Sequence, residues 1–162
     1  MNIIRVLLNI PSLVLSYSKF LPDINGLQDV LQYVILSQSY KNKEDQIEVV
    51  RALLALPIER GIKPGTIVNK GLFYAVDNKN VEIVRMLLEL PLERGVLIYP
   101  HIVLKAMRRN NTKIILMFLN LKEPRAIKDT NLLQEMKQTA RENGNYEILE
   151  KLIWMSPIQA ID

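Results

Sequence analysis

One phrase occurs twice in this chain, thirty-four residues apart. Ile47–Gly61 reads IEVVRALLALPIERG and Val81–Gly95 reads VEIVRMLLELPLERG, with ten of fifteen aligned positions identical. Most of the differences exchange one apolar side chain for another. Self-similarity at a fixed period of twenty to fifty residues marks a stack of one supersecondary unit, each copy too apolar to cover its own face. The spacing therefore constrains the architecture before it says anything about function.

The flanking sequence supplies the rest of each copy. Leu27, Val30, Leu31, Val34 and Ile35 recur at helical spacing and predict a helix running to about Tyr40. Lys41–Asp45 is a polar hinge. Asp45 and Glu48 have the spacing of a capping box, followed by a helix to about Leu56, before Pro57. The next copy has a first helix over Thr66–Val76, a turn at Asp77–Asn80 and a second helix over Val81–Leu90. Two more follow: His101–Met107, Arg108–Asn111 and Thr112–Leu121, then Asn131–Arg141, Glu142–Asn145 and Tyr146–Met155. Ala75, Ala106 and Ala140 align at intervals of 31 and 34. Asn80, Asn111 and Asn145 then each precede a second helix, where an Asn side chain can accept from an orphan backbone N–H. Met1–Pro11 aligns with Val81–Pro91 as a second helix lacking its first, and Pro22–Gly26 carries turn chemistry. The predicted fold is all-α: one domain over 1–162, with a half-repeat at 1–11 and repeats at 27–61, 66–95, 101–125 and 131–157.

Leu72–Glu89, LFYAVDNKNVEIVRMLLE, resembles the core of the ankyrin repeat through Leu72, Ala75, Ile83, Val84, Leu87 and Leu88, with Asn80 where that family has His or Asn. The last copy keeps the turn glycine as Gly144. The resemblance covers about Leu27–Met155 and implies a helix-turn-helix repeat solenoid. The Thr-Pro-Leu-His opening is absent from every copy, and Leu-Pro-x-Glu-Arg-Gly replaces the usual ending, which puts standard finger hairpins in doubt. Copies ending in Leu-Pro are similar to ankyrin-like arrays of effectors from intracellular bacteria, which implies a cytoplasmic protein, the chain's own or a host cell's. The tetratricopeptide repeat shares the period, but the linkers Pro57–Thr66 and Pro91–Pro100 are long for its simple helix–helix turns.

Composition narrows the chemistry. There are no cysteines and one histidine, His101, so thiolate and His-pair metal sites and Ser–His catalysis find no support. His101, beside Pro100, reads as a solvent-facing or capping residue. No Gly-rich phosphate loop occurs, and no apolar run reaches the roughly 18 to 20 residues of a membrane span. No cofactor, metal or small-molecule substrate is expected, nor an enzymatic activity. The net charge of +4 is local: Val96–Lys128 holds seven basic residues (Lys105, Arg108, Arg109, Lys113, Lys122, Arg125, Lys128) against Glu123 alone. The repeated Glu59-Arg60-Gly61 and Glu93-Arg94-Gly95 read as helix terminators, and Arg5, Arg51 and Arg85 as a solvated stripe.

Partners of ankyrin repeats dock on the concave side, formed by first helices, inter-helix turns and linker tips. On this chain the resemblance points to Phe73, Tyr74, Asp77, Asn78, Lys105, Arg108, Arg109, Glu142 and Asn143 as the partner-binding residues, with Phe73 and Tyr74 open to a core reading. The resulting expectation is a monomeric, non-enzymatic scaffold for a protein with an acidic patch. Replacing both Arg108 and Arg109 by Glu should then weaken binding and spare thermal stability. Two rivals remain: the recruiting arm of a larger effector enzyme, and a binder of nucleic acid or anionic lipid through residues 105–128, whose affinity would fall steeply with salt.

Overall fold

The structure, a computed structural model, describes residues 27–36, 43–55, 66–94 and 96–155. Every regular element among them is helical. In chain order these are α1 (Leu27–Leu36), α2 (Lys43–Leu54), α3 (Thr66–Asp77), α4 (Val81–Leu88), a 3-10 turn at Leu92–Arg94, α5 (Pro100–Arg108), α6 (Thr112–Leu119), α7 (Thr130–Glu142) and α8 (Tyr146–Met155). The four predicted helix pairs are all present. The half-repeat at 1–11 and the linker 57–65 lie outside the described residues.

The helices gather into two compact units. The first holds the described residues up to Ala75 together with Glu82–Val96; the second holds Val76–Val81 and the chain from Leu97. In the first, Leu31, Val34, Ile35, Val49, Val50, Leu53, Leu72, Ile83, Val84 and Leu87 are buried. Gly71 sits where α3 runs close to its neighbours. A Cβ there would lie 3.1 Å from Ile35 Cδ1 and 4.0 Å from Leu87 Cδ1, so the missing side chain is what permits the approach. Buried Gln46 of α2 donates from Nε2 to the Val34 carbonyl at 2.8 Å. That carbonyl is one of the last four of α1, which have no partner within their own helix.

Several boundaries differ from the sequence reading, among them the end of α6, at Leu119 and not Leu121. Because α2 begins at Lys43, Asp45 is its third residue and not its cap, so the Asp45/Glu48 capping box is not formed. Asp45 instead lies with Glu44 in the first turn, where a carboxylate complements the helix dipole. α4 ends at Leu88, two residues short of the predicted Leu90; Pro91 then opens the 3-10 turn, whose Arg94 N–H donates to the Pro91 carbonyl at 3.0 Å. In both second helices whose basic residue is described, that residue lies outside: Arg51 and Arg85 are exposed, and Arg85 pairs with Glu82 at 3.0 Å.

In the second unit α5 packs on α6 and α7, and α8 packs on α6 and α7. Ile102, Val103, Ala106, Met107, Ile114, Ile115, Phe118, Leu119, Leu132, Leu133, Met136, Ala140, Ile148 and Leu152 form its core, with Phe118 fully buried. Pro100 sits in the first turn of α5, where its missing N–H costs nothing, and Tyr99 is the N-cap without a side-chain bond. His101 therefore does not cap; it is exposed and stacks on the Tyr99 ring at 5.6 Å. α7 is capped by Asp129, whose Oδ1 accepts from the backbone N–H of Asn131 and Leu132.

The repeat register is written most clearly in the backbone of the turns. Lys79, Asn110 and Gly144 have positive φ angles of 55°, 48° and 64°, at the same 31- and 34-residue intervals as the buried alanines Ala75, Ala106 and Ala140. After α7 the Asn145 N–H donates to the Ala140 carbonyl at 2.9 Å and Gly144 N–H to Arg141 at 3.0 Å. After α5, Asn111 and Asn110 make the same two bonds, to Ala106 and Met107 at 3.4 and 2.9 Å. This pair of bonds around one left-handed residue satisfies the carbonyls left over at a helix end. The next residue then starts the second helix. Asn111 Oδ1 accepts from Ile114 N–H at 3.2 Å, and Asn145 Oδ1 from Ile148 N–H at 3.3 Å.

Candidate protein-interaction surface

In the second unit, side chains tie the turn at 108–111 to that at 77–80 and the turn at 142–145 to that at 108–111. Asp77, the last residue of α3, receives Arg109 through both Nε, at 2.8 Å, and Nη2, and receives Lys105 Nζ at 3.0 Å. Two cations thus converge on a single carboxylate oxygen. Their hydrogen bonds, that of Arg109 first and then that of Lys105, hold the Asp77 carboxyl below its ordinary value of 3.8, against a smaller upward push from burial. One copy later, Asn143 donates from Nδ2 to the Met107 carbonyl at 2.9 Å. Asn145 donates from Nδ2 to Asn110 Oδ1 at 2.8 Å and to Thr112 Oγ1 at 2.9 Å.

These bonds sort the expected partner-binding residues. Asp77, Lys105 and Arg109 are brought together, but as partners of one another. Asn143 is exposed yet committed to the preceding turn. Glu142 is exposed and accepts from Gln138 Nε2 at 2.8 Å. Asn78 and Arg108 are exposed. Arg108 makes no ion pair among the described residues. In the first unit, Phe73 and Tyr74 meet edge to face at 5.6 Å and are half-buried, so neither belongs to the fully buried core nor stands free in solvent.

The stretch of seven cations is correspondingly less basic than its count. Lys105 and Arg109 share Asp77, and Lys128 pairs with Glu123. The expectation that replacing Arg108 and Arg109 together would spare stability does not fit this geometry. Arg109 holds two turns together, and a glutamate there would face Asp77.

Several exposed apolar residues were not singled out from the sequence. Leu97 and Tyr99 lie on the approach to α5, and Tyr146, Ile153 and Trp154 lie on α8. For the α8 residues the signal was present. The buried stripe of Ile148 and Leu152 puts Tyr146 and Trp154 on the far side of the helix at 100° per residue.

No group of three or more His, Asp or Glu side chains that could hold a metal ion occurs among the described residues. Nor is any helix among them long and apolar enough to cross a membrane. No protein-family model, curated protein or solved structure matches the chain. What the fold defines is an all-α protein of helix-turn-helix pairs in repeating register.

Proposed function

We propose that the chain is a non-enzymatic, ankyrin-like scaffold that binds an acidic protein segment through the turns of its second unit, with Arg108 as the central contact. The reading places it in a cytoplasm, its own or that of a host. The observation that carries it is the division of labour between Arg108 and Arg109. Arg109 and Lys105 are spent on Asp77, which fixes the turn, and this leaves the adjacent Arg108 as an exposed cation on a preformed backbone. Arginine on an ordered turn loses little freedom on binding and can meet a carboxylate through two N–H groups. Asn78 and Glu142 flank it along the chain's turn positions and supply polar contacts for register.

The test is an affinity capture from a eukaryotic cell lysate with the native chain and with Arg108→Glu. Proteins retained by the native chain and lost with the variant, while the variant keeps its melting temperature, support the assignment. Identical retention by both overturns it. Captured material that is nucleic acid, released in proportion to salt, would instead support binding through residues 105–128.

A further inference from the structure

The geometry points to a second interaction surface on the outer face of α8, shaped for an amphipathic helix whose apolar stripe is flanked by lysine or arginine. The repeat register shows why this face is unusual. Ile153 occupies the position of Leu119 in the preceding copy, and Leu149 that of Ile115. Leu119 is only 6% exposed and Ile115 is buried, in a helix that α8 packs against. Ile153 is 55% exposed. The fourth copy thus keeps apolar, but exposed, a position that is buried in the third.

A helix face that meets water ordinarily carries polar side chains. Here the substitutions run the other way. Tyr146 stands where the preceding copy has Thr112, and Trp154 where it has Asn120; they are 76% and 80% exposed. Tyr and Trp with an aliphatic neighbour, spaced over two turns of one helix, are the side chains that anchor a helix laid alongside.

Charge selects the occupant. Glu150 lies one turn from both Tyr146 and Trp154, at the centre of the exposed arc, and exposed Glu147 replaces Lys113 of the preceding copy. Two copies pairing α8 against α8 about a twofold axis would bring Glu150 against its own image, a like-charge contact. A partner with Lys or Arg beside its apolar stripe meets the same carboxylates favourably.

Trp154 is the only tryptophan, so its emission reports on this face alone. The probes are two tryptophan-free helical peptides of about five turns with the same leucine stripe, one flanked by Lys and the other by Glu. The full chain should bind the Lys peptide with a saturable blue shift of Trp154 and give no shift with the Glu peptide. Because the chain is itself +4, unspecific attraction would favour the opposite peptide. Glu147→Lys with Glu150→Lys should exchange the preference. Trp154→Ala and Ile153→Asp, read by anisotropy of labelled peptide, should each weaken binding about tenfold or more with unchanged melting temperature. Equal binding of both peptides, or of neither, overturns the proposal. So does a dimer in sedimentation that Ile153→Asp dissociates, or a Trp154 shielded from quencher until residues 156–162 are removed.

Discussion

Arg108 and Arg109 are adjacent and chemically identical, yet reversing each should have different consequences. Arg109→Glu removes a guanidinium that reaches Asp77 through two nitrogens, in a pair whose side chains are 45% and 27% exposed. An ion pair this open to solvent contributes about 0.2 to 1 kcal/mol, and the two-nitrogen contact puts it near the upper end. The new carboxylate faces Asp77, and two like charges about 4 Å apart in water repel by about 1 kcal/mol, partly relieved by Lys105. The total is about 1.5 kcal/mol, or roughly 3 to 6 °C in melting temperature for a chain of this size. Arg108→Glu, on an exposed residue with no ion pair among those described, should stay within about 0.5 kcal/mol of the native chain. Thermal melts followed by circular dichroism at about 0.02 M and about 0.5 M salt would measure both, and the Arg109→Glu deficit should shrink at the higher value. In the Asp77→Asn background the same reversal should cost less than about 0.5 kcal/mol, leaving a coupling near 1 kcal/mol. Equal melting temperatures for the two reversals, or a coupling of zero, would refute the reasoning.

The stability difference between the native chain and Asp77→Asn should depend on pH in one direction. The folded-state pKa of Asp77 is depressed, so the contribution is fully present above its ordinary value of 3.8 and is lost as pH falls through the lower folded value. Melts across the acid range check it; a difference that persists at the acid end contradicts it. Asn145→Ala loses both a cap and two bonds to the preceding turn and should cost about 2 kcal/mol, whereas Asn111→Ala, which loses the cap of α6, should cost about 1. Gly144→Ala meets nothing within 4 Å, so its cost of about 1 kcal/mol comes from the left-handed backbone alone. Lys79→Gly, at the equivalent angle, should stabilise by roughly half to one kcal/mol, and chemical denaturation resolves the two signs. Phe118→Ala should cost about 3 to 5 kcal/mol by the same measurement.

The helix pairs were legible because two independent signals coincide: the 3.6-residue apolar period, and an asparagine in register before each of three second helices. Ile83, Ile114 and Ile148, each three residues after its asparagine, are all fully buried. The turn backbone was legible only in part. Gly144 announces a positive φ, but nothing about Lys79 as a lysine does; its angle follows from its place in the register. Asp45 misled because its carboxylate suits a cap and a first turn equally, and the sequence does not fix which residue starts the helix. Gln46 was not recognisable as a structural residue, since its role depends on an α1 carbonyl twelve positions away. The candidate site was the hardest case. Composition counts seven cations between residues 96 and 128, but whether a cation is available depends on acids supplied by other turns, and Asp77 lies outside that stretch.

The four residues of each turn divide the labour in a way that explains their variation. The residue just after the first helix reaches back: Arg109 to Asp77, and Asn143 to the Met107 carbonyl. The next takes the left-handed conformation at Lys79, Asn110 and Gly144. The last is asparagine each time, and Asn145 shows what an amide offers that serine or aspartate does not. Its oxygen accepts from its own helix while its nitrogen donates to the turn before. The last residue of the first helix is the position whose charge varies from copy to copy. Asp77, Arg108 and Glu142 occupy it, alternating in sign. Asp77 is taken by cations of the following copy and Glu142 by Gln138 of its own helix. Arg108 is thus the member of the row whose charge the fold does not use, and a charge that folding leaves unused is the one a partner can read.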